Sequence, residues 1–370
     1  MLIPIENTPR DYAWGRAGAI SALLGGEATD AVEAELWLGA HRGWPSRIVG
    51  DDTTLVDVVP DLPYLLKVLA IGAPLSIQAH PDAEQARQGF ERENAAGIPI
   101  DAPERSYRDP YAKPELVVAV SERFEALAGF RPAEQARTEL ETVVAVAGGA
   151  RAIAPLLDRL RDDATVGDAL AWLLAETPEA VAAIAAVSDG LLADPAARPW
   201  ATRIAVGHPG DPGIAGSLLL HHVVLRRGEA LYLRPGVVHA YLDGVGIELM
   251  GPSDNVLRGG LTAKHVDVAE LTRTIGRAAG PAPRLEPAPL PGGGVLYAPD
   301  DPVAPFSLAY AEHDLALSLS GPAIALCIDG AFELSGRASG ARIARGGAVL
   351  VTPDEGELLA SGAGALYVAR

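Results

Sequence analysis

The sequence changes grain at Pro132, and that change limits the folds open to it. Before this point, short apolar runs alternate with turn signals. From Ala133 to Ala197 the chain is rich in Ala, Leu and Glu, with Val its main β-branched residue. Strand-like runs return after His208-Pro-Gly-Asp-Pro-Gly213, a loop expected to lead into a short helix capped by Asp211. The middle block predicts three or four helices, one of them starting at Thr177 as N-cap with Pro178 at the first helical position. On either side the pattern is β. Glu35–Gly39 and Ser46–Val49 are strand candidates, and Leu65–Ile71 is a near-continuous apolar run of the kind a buried strand carries. Lys67 inside it must be paired or snorkelling. Residues 222–241 read as strand, turn, strand, turn, strand. After a Pro/Gly/Ala-rich linker, short strands recur from Val295 with turns at Asp329-Gly330 and Ser335-Gly336. Regular short strands with turn signals indicate a sandwich or barrel. The expected fold is mainly β: a double-stranded β-helix (jelly roll) with an inserted α-helical domain and a C-terminal β domain. Residues 1–131 and 205–280 form the two parts of the core domain, 132–204 the insert and 281–370 the last domain.

Charge narrows the partners. The formal net charge is −18 over 370 residues, so nucleic acid and anionic membrane surfaces are poor partners. A small anionic substrate remains open if its site supplies local positive charge. Cys327 is the single cysteine, so no internal disulfide forms and a cytoplasmic setting fits best. The N-terminal residues lack the basic start and long apolar core of a signal peptide. No apolar run approaches the roughly 20 residues of a membrane span. A monomer is expected. Of the 30 basic residues only Lys67, Lys113 and Lys264 are lysines, which makes each a candidate for work that a guanidinium does badly.

Two stretches carry chemistry. In Pro74-Leu-Ser-Ile-Gln-Ala-His-Pro-Asp82, Gln78 and His80 stand two apart in a run that reads as a strand ending at Pro81. Alternate strand residues share a face. Glu115 begins another strand within Lys113-Pro-Glu-Leu-Val-Val-Ala-Val120. His239 follows a Pro-Gly turn in Leu233-Arg-Pro-Gly-Val-Val-His-Ala-Tyr241. Two imidazoles, an amide and a carboxylate are a credible ligand set for zinc or a similar divalent metal. With one carboxylate among them, the bound ion keeps a net charge near +1 and hence Lewis acidity. The other stretch runs from Glu248 to His265 between expected strands. It packs Glu248, Asp254, Asn255, Arg258, Lys264 and His265 around Gly259-Gly260, a density of polar groups typical of binding loops. Arg258 and Lys264 offer cations for a phosphate or an enediolate oxygen. His41, His208, His221, His222 and His313 read as surface or core residues.

Ser76-Ile-Gln-Ala-His-Pro-Asp82, Lys113-Pro-Glu115, Pro235-Gly-Val-Val-His-Ala-Tyr241 and Ser253-Asp-Asn-Val-Leu-Arg-Gly-Gly-Leu-Thr262 together resemble the type I phosphomannose isomerases. Tyr12-Ala-Trp-Gly15 and Ala34-Glu-Leu-Trp-Leu-Gly-Ala-His41 are similar to the same family's N-terminal segment. The resemblance runs from about residue 10 to 275. It implies a cupin-type catalytic domain and a zinc-dependent aldose–ketose isomerase that interconverts mannose 6-phosphate and fructose 6-phosphate through a cis-enediol. By resemblance the zinc ligands are Gln78, His80, Glu115 and His239, and the catalytic arginine is Arg258. Lys113, Asp254 and Glu248 are the candidates for the proton-shuttling base, and the sequence does not choose among them. Ser76 and Lys264, with Arg258, are expected at the phosphate, and Tyr241 and Asn255 among the substrate contacts. Two positions depart from the family pattern. Many members have a histidine before the Lys-Pro-Glu, to which some schemes assign ring opening, where this chain has Ala112. Either that histidine is dispensable or Tyr111, a water or another group takes its place. Ala263 stands where a proline is usual, which should only loosen the loop.

Three rivals share these features. The same scaffold acting on another aldose or sugar phosphate differs only in substrate. A non-catalytic, metal-containing sugar-binding cupin would have no use for an acid, an arginine and a lysine beside its metal. A metal-dependent oxygenase wants an open site of two histidines and a carboxylate, which Gln78 and the phosphate cations argue against.

Overall fold

The computed structural model describes residues 1–27, 29–291 and 293–370. Its architecture is β-rich, with two ten-stranded sheets and an inserted helical region. The long strand His239–Met250 organises the first sheet. Its first half pairs with Gln78–Ala79 and Phe124–Phe130, its second half with Leu65–Ile71 and Glu115–Ala119. The change of partner falls at a bulge between Tyr241 and Asp243, followed by Gly244 at φ 121°. A Cβ there would lie 2.8 Å from the Phe124 backbone, so both the dihedral and the close approach require glycine. Leu65–Ile71 is buried at all seven positions, which explains a run that is apolar on both faces.

The stretch 133–197 holds the helices Ala133–Ala145, Ala150–Leu157, Val166–Leu174 and Pro178–Ala193, and a fifth, Pro199–Gly207, follows. Thr177 Oγ1 accepts from Ala180 N at 3.3 Å to cap the fourth. Leu140, Val144, Leu170 and Val187 from these helices share one core with Leu127 and Leu257 of the sheet and with Ile77 beside it. Each such fully buried aliphatic side chain contributes about 1.5–3 kcal/mol, which holds the insert against the sheet rather than leaving it on a tether. No single helix among the described residues is long and apolar enough to cross a membrane. The one consecutive pair that passes such a test together is bent by 99°.

The second sheet is built mainly from residues after 284, but the N-terminal strand Leu2–Glu6 lies in it, paired with Ala348–Val351 and Arg47–Ile48. Leu36, Leu116 and Ile247 of the first sheet pack with Ile324, Leu350 and Tyr367 of the second in a common core. Tyr64 OH crosses this interface to donate to the carbonyls of Pro322 and Ala369 at 3.1 and 3.0 Å.

Candidate metal centre and active site

Register brings the site together. Gln78 pairs with His239 on one side and Arg258 on the other, and directly opposed residues project to the same face. Glu248 stands opposite Lys67, and Trp37 opposite Lys67 on its far side, which adds three more side chains to one wall. His80 follows the strand Gln78–Ala79 directly, and its place is fixed by what comes next. Asp82 caps the helix Ala83–Ala95, accepting from Gln85 N at 2.8 Å while Gln85 Oε1 accepts from Asp82 N at 3.0 Å, a reciprocal capping box.

His80, Glu115 and His239 converge with their ligand atoms within 4.8 Å of one another. All three are at most 2% exposed. His80 Nδ1 donates to the carbonyl of Asn255 at 2.7 Å and His239 Nδ1 to that of Val237 at 2.9 Å. Both rings are thus held in the tautomer whose Nε2 carries a lone pair. Those Nε2 atoms face Glu115 at 3.1 and 3.3 Å, yet neither is placed to hydrogen-bond, and both remain without a partner, as does Glu115 Oε2. Burial and the nearby Lys113 ammonium push the His80 imidazolium down to about 4. Burial alone would resist ionisation of Glu115, but Lys113 and the two imidazoles outweigh it and hold the carboxyl well below its usual range. Three buried lone pairs pointing at each other repel unless a cation lies between them, so this group fits a divalent metal. Gln78 lines the adjoining cavity beside Glu115.

That cavity has a volume of about 600 Å³. Its wall includes Ser76, Tyr241, Glu248, Arg258 and all three lysines of the chain, Lys67, Lys113 and Lys264. Lys113 Nζ lies 3.0 Å from Glu115 Oε1, and Lys67 Nζ 3.2 Å from Glu248 Oε2 and 3.9 Å from Glu35 Oε2. Trp37 Nε1 donates to the same Glu35 carboxylate. Burial raises the Glu248 carboxyl above its usual value even against the Lys67 ammonium. Glu248 lies inside the strand His239–Met250, not in the loop where the polar sequence places it, because its side chain closes a cross-strand pair with Lys67. Tyr241 is 2% exposed and its hydroxyl has no hydrogen-bond partner. Burial, then Glu248, holds that phenol well above its usual value.

A smaller cavity of about 220 Å³ adjoins the first and shares Tyr12, Glu35, Lys67, Lys113 and Arg258 with it. Arg108 and Asp254 line it too. Asp254 is met by His41 Nε2 at 3.1 Å. Burial opposes its ionisation but the His41 contact prevails and lowers it. Arg108, Arg258 and Lys264 form a cationic cluster with no carboxylate within 4.0 Å among the described residues. Burial and Arg108 push Arg258 down, and burial with both arginines does the same to Lys264. Such mutual repulsion marks a site built for an anion.

Arg108 was not singled out by the sequence, and His41 and His208 were read there as surface or core residues. His208 lines the larger cavity. Asn255, expected to touch substrate, is instead wholly buried, its amide spent on the backbone of residues 108–111. Tyr111, one group considered in place of the missing histidine, is 60% exposed and lies in neither cavity wall.

Residues 2–133 match the family described as phosphomannose isomerase type I, catalytic domain. The chain is 36% identical to the mannose-6-phosphate isomerase of Escherichia coli (strain K12) over 97% of each protein. It is 36% identical to that of Salmonella typhimurium over the same share. Among solved structures, mannose 6-phosphate isomerase from Salmonella typhimurium bound to fructose 6-phosphate and zinc superposes with a TM-score of 0.88, at 33% identity, over 100% of this chain and 98% of that one. From one end to the other, this chain belongs to the type I phosphomannose isomerase family.

Proposed function

We propose that the protein interconverts mannose 6-phosphate and fructose 6-phosphate through a cis-enediol, with one zinc ion held by Gln78, His80, Glu115 and His239. The observation that carries this reading is the convergence of the partnerless His80, Glu115 and His239 donor atoms beside a cavity rimmed by unpaired cations. Bound there, zinc supplies a Lewis-acidic centre for substrate oxygens. The remaining work falls to side chains. A base takes the proton from C2 of the open-chain aldose, the C–H electrons become the C1–C2 double bond, and the C1 carbonyl pair moves onto O1, which takes up a proton to complete the enediol. The C1–C2 double-bond pair then takes the proton back at C1, while the C2 hydroxyl gives up a proton that balances the one taken by O1 and its O–H pair forms the C2 carbonyl of the ketose.

Glu248 suits that role best of the three candidates. It is buried in the cavity wall, and a carboxyl raised towards working pH is better matched to hand a carbon-bound proton back and forth. Lys113 stands 3.0 Å from Glu115 and serves as a fixed ammonium. Asp254, with His41 at 3.1 Å, is an acid–base pair able to open the sugar ring where Ala112 replaces a histidine. Arg258 aims unpaired donors at the developing enediolate charge, and the phosphate is held by Ser76, Lys264, Arg258 and Arg108. We read the first sheet as the cupin-type double-stranded β-helix, since His239–Met250 pairs with four strands in two sets along its length. The division at 131/132, 204/205 and 280/281 follows from that reading.

A coupled assay tests the proposal. Turnover of mannose 6-phosphate should be lost on chelation and restored by zinc, and should exceed turnover of glucose 6-phosphate and free mannose. Undiminished turnover after chelation would overturn it.

A further inference from the structure

Asn255 lies between the metal centre and the anion site. Its backbone carbonyl accepts from His80 Nδ1 at 2.7 Å. Its side-chain oxygen accepts from Arg108 N at 2.7 Å and Asp109 N at 3.2 Å, and its amide nitrogen donates to the carbonyls of Asp109 and Tyr111 at 2.8 and 2.9 Å. Every donor and acceptor of the amide is therefore used, in a residue with no solvent exposure. Its neighbours fasten the same two strips of chain: Ser253 Oγ donates to Asp109 Oδ1 and Asp254 N to Asp109 Oδ2, each at 2.8 Å. The far side of the loop is equally fixed. Arg105, 4% exposed, spans Glu93, Asn94, Ile98 and Tyr107, and the Tyr107 ring lies where a Cβ on Gly89 would come within 2.5 Å. The 105–111 segment is thus held at both ends, and Arg108 is presented to the cavity from a rigid backbone.

We infer that Asn255 is a positioning residue that sets two things at once: the orientation of the metal ligand His80 and the placement of Arg108 against the substrate's phosphate. One short, fully satisfied amide makes metal affinity and anion affinity properties of a single unit. Neither His80 nor Arg108 can shift without moving the other's support. The inference rests on the proposed zinc site and phosphate cluster.

Asn255→Ala tests it, because the backbone carbonyl is retained while the bonds that locate it are lost. Zinc affinity, measured without substrate by competition with a chromophoric chelator, should fall by more than twofold and by at most the roughly 10–100-fold that loss of a ligand's hydrogen-bonded partner costs. At saturating zinc, KM for mannose 6-phosphate should rise by a larger factor than kcat falls. Ser253→Ala removes one hydroxyl and should repeat both changes at smaller amplitude, which covers failure of the first variant to fold. A zinc dissociation constant within twofold of the parent in both variants overturns the inference. So does weakened zinc binding with an unchanged KM. If the parent enzyme itself binds no zinc or turns over no mannose 6-phosphate, the reading of the site has failed instead.

Discussion

Replacing Lys67 with methionine isolates the electrostatics of the cavity wall. Lys67 is 6% exposed, and its ammonium lies 3.2 Å from Glu248 and 3.9 Å from Glu35. It also stands 5.0 Å from the centroid of the Trp37 ring. At an effective dielectric of about 20 the two ion contacts are each worth roughly 4–5 kcal/mol of attraction. Much of that is offset by the cost of removing the charges from water, and breaking a buried pair by deleting one partner typically costs about 3–5 kcal/mol. Methionine keeps most of the stem volume, so the loss is chiefly of charge. Glu35 retains the Trp37 indole as donor, so the stranded anion is Glu248. Its carboxyl, already raised by burial, must rise further. A raised carboxyl binds a proton in the folded state that the unfolded chain releases, so stability returns as pH falls towards the unfolded value. Urea unfolding of Lys67→Met should show a deficit of about 3–5 kcal/mol at pH 8 that shrinks at pH 5. A deficit below about 1 kcal/mol at pH 8, the scale of an exposed pair, or one that grows on acidification, would refute the reasoning.

His239→Ala should abolish stoichiometric zinc binding by removing a neutral imidazole whose Nδ1 is tied to Val237; metal analysis of the dialysed protein decides, and full retention contradicts the ligand assignment. Arg258→Ala should lower kcat by about 10²–10³-fold with zinc retained, the scale for losing one donor to a developing oxyanion; unchanged turnover removes it from catalysis. Glu125→Gln bears on acid stability. His222, then Arg123 and Arg203, hold the Glu125 carboxyl down to about 2 despite burial, so its contribution is complete above about pH 4.5 and is lost as pH falls towards 2. The variant should be about 1–2 kcal/mol less stable at pH 7, discounted for the half-exposed arginines, and the gap should close on acidification; a gap constant from pH 7 to 3 would argue against the linkage. Gly89→Ala drives a methyl into the Tyr107 ring and should cost about 1–3 kcal/mol in thermal unfolding, whereas an unaltered melting temperature would show that the loop does not depend on this contact.

What the sequence made legible follows from period and chemistry. Leu65–Ile71 is a strand at the bounds its apolar run indicates, and Thr177 caps a helix that begins at Pro178, as that pair of residues indicates. The grouping of His80, Glu115 and His239 was anticipated from their ligand chemistry and from the family resemblance, although His80 lies just past the strand Gln78–Ala79 and not within it. Other features depend on pairing that no local pattern encodes. Leu2–Glu6 lies in the sheet formed by the end of the chain because its partner, Ala348–Val351, is more than 340 residues away. Glu248 read as part of a polar loop because its neighbours after Met250 are polar. Only the register against Leu65–Ile71, which sets it opposite Lys67, turns it into a strand residue facing a cavity. Arg108 escaped notice for a related reason. It stands in a Pro-rich segment without periodicity, and the bonds that aim it come from Asn255, far along the chain.

The lysines resolve the conflict between an acidic protein and an anionic substrate. A net charge of −18 opposes a phosphate at long range, where salt screens it within about 8–10 Å. Inside a poorly hydrated cavity, short contacts dominate and screening is weak. Lys67, Lys113 and Lys264 all lie on one cavity wall although arginine is used almost everywhere else. Two of them sit within 3.0–3.2 Å of buried carboxylates. A planar five-donor guanidinium would need more room and more acceptors than Glu248 or Glu115 leaves, whereas a compact ammonium satisfies one carboxylate at close range. The paired lysines fix two buried acids of the cavity wall, and Lys264 lies at the rim with Arg108 and Arg258, none of the three within 4.0 Å of a carboxylate among the described residues. Neutralising inside and leaving cations at the mouth gives an acidic surface a place where a sugar phosphate is attracted.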